Sequence, residues 1–192
     1  MQEIRGEDWD AEELGAVRHV GVTFIDVDLS EATTTGAMFE RCVFHNCRLN
    51  GSVHTDSAFI GCDFRGTSFF DTTFTGCKLN GSVFDRCTLR PMTVTGGQWQ
   101  GVTIRGAKLA ALDLSGLDLR EADLSLSDLT GSDLSHARLD GATVRESDLS
   151  GADLRNASLT GVDLTVATLT GTRLDLNGAV HLAGLHGVVV QP

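Results

Sequence analysis

Residues 150–165 read SGADLRNASLTGVDLT, which puts a leucine at every fifth position: Leu154, Leu159 and Leu164. A helix returns its apolar face every 3.6 residues and a half-buried strand every 2, so a period of five belongs to neither. Extended in both directions, the same frame has 31 positions from Phe24 to Leu174. Phe, Leu, Ile, Val or Trp holds 29 of them, and Thr34 and His54 are the exceptions. In a chain with 41% hydrophobic residues, chance does not produce that regularity. The frame never slips, so no loop interrupts it. Two places before each centre the residue is usually small, as at Val22, Ala37, Ser52, Ala107 and Ala152, with Met92, Leu112 and Leu117 the large ones. The remaining places carry Asp, Ser, Thr, Arg, Gly and Asn. This is an internal repeat, and it decides the fold before any other feature is read.

Two inward-pointing residues in every five require the chain to turn a corner after each pentad. Four corners close a square coil of twenty residues. Gly, Asp, Asn, Ser and Thr suit such corners, because they tolerate turn dihedrals or hydrogen-bond to their own backbone. Stacked coils satisfy one another's amides at the sheet spacing of about 4.8 Å. The predicted fold class is therefore all-β, a solenoid in which side chains twenty apart form ladders. Phe24, Phe44, Phe64 and Phe84 make one such ladder, and leucine replaces phenylalanine at the centres after Leu109.

The A(D/N)LXX pattern of "GADLR" and "EADLS" resembles the pentapeptide-repeat family over nearly the whole chain. The family forms a right-handed quadrilateral β-helix. The longer strings "TGAMFERCVF" (35–44), "SAFIGCDF" (57–64) and "GSVFDRCTLRPMT" (81–93) are similar to its mycobacterial fluoroquinolone-resistance members. That resemblance implies a homodimer joined at its C-terminal ends that binds DNA gyrase in place of DNA, modulates or inhibits it, and lowers fluoroquinolone susceptibility. Some relatives act through loops extruded from the coil; this frame contains none.

One unbroken repeat in 192 residues implies one domain. No apolar run approaches 18 residues and no leader pattern opens the chain, so the expectation is a cytoplasmic protein with no membrane association. A net charge of −11 and the absence of tyrosine argue against direct nucleic-acid binding. Cys42, Cys47, Cys62, Cys77 and Cys87 all fall two before a centre, where they read as buried small residues and, in a reducing compartment, free thiols. Cys42, His45 and Cys47 cannot converge on one ion, because the frame points the cysteines inward on different faces and the histidine outward. A convex rod offers no cleft in which to desolvate a catalytic group. The reading is accordingly no enzyme, no catalytic residue, no metal, no cofactor and no small-molecule substrate. His54, in register with Thr34, is expected as a buried polar pair. Ile60 and Phe70 fall at outward places, and Pro91 sits at a corner after Arg90 with its isomer open.

The ends depart from the pattern. Ile4, Trp9 and Leu14 keep the frame, but Glu7 and Glu12 occupy small inward places. Residues 1–14 are therefore predicted to be an acidic extension, partly helical, ahead of a β-helix over 15–175. Residues 176–192 are predicted to cap and dimerise the rod. Asp175 or Asn177 starts a helix running to Leu185, Gly187 ends it, and Val188–Val190 forms a short strand. Val180, Leu182, Ala183, Leu185, Val188 and Val189 are the predicted dimer interface, since they offer more apolar surface than a cap requires.

Charge is segregated along the chain. Residues 1–31 hold 9 acids and 2 bases, residues 32–110 hold 5 and 8, and residues 111–192 hold 12 and 5, giving net charges of −7, +3 and −7. Asp113, Asp133 and Asp153 recur every twenty and form a column. Asp128 and Asp148 make a second, and Asp118, Asp123 and Asp163 complete an acidic belt. Each lies just before a centre, where an Asp also serves the turn. The belt is the predicted gyrase-binding surface. An acidic scaffold with a different protein partner is the alternative.

Overall fold

The computed structural model describes residues 2–191 and shows the coil with the predicted register. Strands Glu3–Arg5, Thr23–Ile25, Val43–His45, Asp63–Arg65, Val83–Asp85 and Thr103–Ile104 pair in parallel, each residue with the one twenty later. A second face stacks Glu13–Gly15, Thr33–Thr35, Val53–Thr55, Thr72–Thr75 and Met92–Thr95. A third stacks Arg18–Val20, Met38–Glu40 and Ala58–Ile60, and the fourth is held by single bridges such as Asp28 to Arg48 to Ser68. Beyond Ile104 the strands shrink to isolated bridges between turns, but the spacing stays twenty, as in Asp113 to Asp133 to Asp153.

The interior is built from the predicted ladders. Phe24, Phe44, Phe64 and Phe84 stack with ring centroids 4.7, 4.9 and 4.9 Å apart, and Phe39 lies on Phe59 at 4.8 Å. Small inward residues have a second task. Ser82, Ser127 and Ser147 donate their hydroxyls to the carbonyl twenty-three residues earlier, at 2.7–2.8 Å. The thiols of Cys62 and Cys77 point at the same class of acceptor, at 3.3 and 3.2 Å. All five cysteines are free; four are buried and Cys87 is half-buried. The inward slot therefore selects small side chains that can also donate a proton, which keeps core carbonyls satisfied.

One place per pentad, two after the centre, carries the left-handed backbone that turns the corner. Glycine fills many of these places, but Asn46, Asp56 and even Leu126 (φ 66°) adopt the same conformation. Proline cannot, and at Pro91 the corner is made by a cis Arg90–Pro91 bond.

His54 is 1% exposed and fully bonded. Ser52 donates its hydroxyl to the Leu49 carbonyl at 2.7 Å, so His54 Nε2–H donates to Ser52 Oγ at 3.0 Å. Nδ1 is then the acceptor from Thr34 Oγ1, 2.8 Å away, and Thr34 in turn meets Ser57 Oγ at 2.9 Å. Burial drives the pKa of His54 down to about 3, so the ring is neutral.

Both ends differ from expectation. The first coil begins at Glu3, not at residue 15, since Glu3–Arg5 and Glu13–Gly15 already pair with the coil above. Glu7 and Glu12 are exposed because among the described residues no coil lies beneath this one to bury its inward slots. At the other end Asp175 caps the helix Leu176–Leu185 by accepting from Gly178 N at 2.8 Å, and Gly187 follows with φ 76°. Val188–Val190 is not a strand. The helix covers the last coil, so no sheet edge is within reach to pair with it.

Candidate protein-interaction surface

All eight belt aspartates use one carboxylate oxygen to accept the backbone N–H two residues ahead. The distances run from 2.9 Å for Asp133 and Asp148 to 3.3 Å for Asp118. Each thus stabilises a corner, and the further partners of the carboxylates differ between them. In Asp118 the second oxygen is held by Arg120 Nη2 at 2.7 Å, with Arg138 Nη1 at 3.5 Å. Asp153 is clamped in the same way by Arg155 at 2.6 Å and Arg173 at 3.4 Å, leaving it 3% exposed. The Arg155 hydrogen bond holds the Asp153 carboxyl down to about 2. Asp123 shares its charge with Arg105 at 3.6 Å.

Among the described residues Asp113, Asp128, Asp133, Asp148 and Asp163 make no ion pair. Hydrogen bonds from Ser115, Thr130 and Thr165 hold Asp113, Asp128 and Asp163 below the usual carboxylate range. The acid is therefore not a uniform belt. Bridges place Asp128 and Asp148 on one face, and Asp113 and Asp133 on the face five residues further round, so four carboxylates without an ion pair flank one edge of the square. Asp163 lies on another face.

The helix divides the predicted interface residues. Leu182 packs on the core and Ala183 is half-buried, so both belong to the cap. Val180, Leu185, Val188 and Val189 are exposed, Val189 to 82%. Leu176, 78% exposed, extends that apolar patch and was not foreseen. Phe70 is half-exposed on its own, and Ile60 is partly covered.

The fivefold frame also decides kinship. A model of pentapeptide repeats matches residues 20–53, 55–90, 107–145 and 137–175. The chain belongs to the pentapeptide repeat family. Its coil is similar to that of trypsin-treated QnrB1, a plasmid-mediated fluoroquinolone resistance protein. The two are 22% identical, with 99% of this chain and 98% of that one covered and a TM-score of 0.75. Full-length QnrB1 matches at 20% identity, 97% and 98% coverage and a TM-score of 0.71. HetL, a pentapeptide repeat protein involved in heterocyst differentiation regulation from the cyanobacterium Nostoc sp., shares 20% identity over 91% of this chain and 89% of its own, with a TM-score of 0.59. Among curated proteins no sequence matches. These likenesses concern the fold. Among the described residues of this pentapeptide repeat protein, no helix is long and apolar enough to cross a membrane.

Proposed function

We propose that this pentapeptide repeat protein is a non-catalytic, dimeric acidic rod that binds DNA gyrase on the surface the enzyme uses for duplex DNA, modulating or inhibiting it and lowering fluoroquinolone susceptibility. The supporting observation is the edge formed by Asp113, Asp128, Asp133 and Asp148, which repeats at the coil pitch with no ion pair to it among the described residues. From residue 111 to Asp175 the rod carries a net −7. Spread over roughly 15 Å at the sheet spacing, that is about one charge per 2 Å, against one per roughly 1.7 Å in duplex DNA. A stiff cylinder with that linear charge competes for a basic DNA-binding surface, and the association is steered by the field and weakened by salt. Similarity to QnrB1, a fluoroquinolone resistance protein, supports the resistance part of this reading. Joining two chains through Leu176, Val180, Leu185, Val188 and Val189 would bring the two acidic halves together at the middle of a longer rod.

The test is inhibition of gyrase supercoiling by the wild-type protein and by a variant carrying D113N, D128N, D133N and D148N. Asparagine keeps the turn acceptor, so the fold survives and only charge is removed. Asp153 is left alone, because its neutralisation would strand Arg155 and Arg173. The expected outcome is at least a tenfold weaker inhibition by the variant, with far-UV circular dichroism unchanged. Equal inhibition by the two proteins would remove the acidic edge from the mechanism. A cytoplasmic pulldown without gyrase subunits would favour the scaffold reading instead.

A further inference from the structure

The wall of the rod is closed by backbone hydrogen bonds from coil to coil, and one of the places where it parts lies between the coils that carry Arg86 and Lys108. In the coil below, Gly66 N donates to Asp85 O at 2.9 Å, Phe69 N to Thr88 O at 2.8 Å and Thr88 N to Thr67 O at 3.1 Å. One coil later the corresponding donors are Arg86, Leu89 and Lys108, and among the described residues their N–H groups have no acceptor. Pairing resumes above, where Asp128 N reaches Ala107 O at 2.9 Å. The cause is Pro91. Where Gly51 N bonds to Phe70 O, Asp71 N bonds not to residue 90 but to Pro91 O at 2.6 Å, so the chain is displaced by one residue at this corner. The matched repeats are interrupted at the same place, over residues 91–106.

The parted coils leave a cleft of about 430 Å³, lined among others by Arg86, Cys87, Arg90, Ala107 and Lys108. Its depth shows in two inward residues. Cys87 and Ala107 are only half-buried, whereas Cys47, Thr67, Ser127 and Ser147 in the same slot of other coils are buried. Three cations therefore surround three unpaired N–H donors in the one stretch of the chain with a positive balance. Arg86 is shared with Asp85 at 3.2 Å. Arg90 and Lys108 have no ion pair among the described residues, and Asp128, in register above Lys108, is the carboxylate that faces them.

We infer that this cleft binds a phosphate group, either as free inorganic phosphate or as a small phosphate monoester. The guanidinium groups of Arg86 and Arg90 and the ammonium of Lys108 offer charge-assisted hydrogen bonds to an anion, and the unpaired N–H groups add donors on the walls, beside the carbonyls of Cys87, Arg105 and Lys108 that lost them. A tetrahedral oxyanion accepts from these side chains and from an N–H group within its reach. The cleft is larger than the anion alone, which leaves room for an ester group. The site lies on the cationic middle of the chain, next to the Asp128 end of the acidic edge, and does not require gyrase binding.

The test is an amide NMR titration of the intact protein at neutral pH and constant ionic strength. Its ligands are inorganic phosphate, adenosine monophosphate and, as a planar carboxylate, acetate. Saturable shifts confined to the amides of Arg86, Leu89 and Lys108 are expected with the phosphates and not with acetate. Affinity at least tenfold tighter for the nucleotide identifies an ester as the ligand, and equal affinity identifies free phosphate. An R90Q/K108Q variant should bind at least tenfold more weakly, while an R41Q control at an exposed arginine elsewhere is unaffected. Both substituted cleft residues are exposed, and unchanged amide shifts away from the cleft verify the fold. Absence of saturable shifts, equal response to acetate, or undiminished affinity in R90Q/K108Q would each overturn the inference.

Discussion

Replacing His54 by phenylalanine tests how a polar group is tolerated in the middle of an apolar ladder. His54 stacks under Phe74 with ring centroids 5.2 Å apart and meets Phe59 edge-on, so an aromatic ring of similar size fits the slot. Thr34 and Ser52 keep their other partners, Ser57 Oγ and Leu49 O. What disappears is a titration. The folded pKa of His54 is about 3, below the ordinary value of 6.5, so below pH 6.5 the unfolded chain takes up a proton that the folded chain refuses. The sign is therefore a loss of stability as pH falls from 6.5 towards 3. Each full pH unit in that window is worth 1.36 kcal/mol, which makes the loss between pH 7 and pH 5 about 2 kcal/mol. His19, lowered by its own burial, acts in the same direction but is present in both proteins and cancels. Urea unfolding of wild type and H54F at the two pH values isolates the difference. Wild type should lose about 2 kcal/mol more than the variant. Equal losses would mean that His54 is protonated inside the rod, and the tautomer and bonding assigned to it would be wrong.

Three further outcomes follow from the backbone and the cap. Leu126 spends its left-handed φ of 66° at an exposed corner, so L126G should raise stability by about 0.5–1 kcal/mol, measured by thermal unfolding. Gly97 has φ 116°, and an added Cβ would collide with the carbonyl oxygen of Cys77 in the coil below and lie 3.3 Å from its nitrogen. G97A should therefore cost about 2–5 kcal/mol in urea unfolding, from overpacking and strain together. Asp175 serves two donors, Gly178 N and Asn156 N at 3.0 Å, and D175A should lose about 1 kcal/mol together with some helical circular dichroism.

The fold was legible because its period matches no other regular structure, and because every ladder follows from adding twenty to a residue number. The first coil was hidden by Glu7 and Glu12, since burial rules for an inward slot fail where no further coil lies beneath it. Val188–Val190 has the composition of a strand, but composition does not supply an edge to pair with. In the belt, the aspartates were readable and their neutralisation was not read, although a signal existed. Asp118 and Asp153 stand in "DLR", whereas the other six stand in "DLS" or "DLT". A cation two residues on lies on the same side of the corner and reaches back to the carboxylate. Of the cleft, only Pro91 at a corner was visible in the sequence. The cleft depends on which hydrogen bonds fail to form beside that corner, and a proline does not announce that.

The constant register also governs how the chain is assembled and how it evolves. Every strand meets a partner one coil away, so the loop closed at each step has the same length at Glu3–Arg5 as at Asp113. The entropic cost of adding a coil does not grow with the size of the molecule, which is uncommon among all-β proteins, where distant pairings slow folding. Duplicating a twenty-residue block would lengthen the rod by a single step and leave every other contact in place. Inserting one residue would turn the core of all later coils towards water. Such a sequence is free to change its length in whole coils, and resists almost any smaller change.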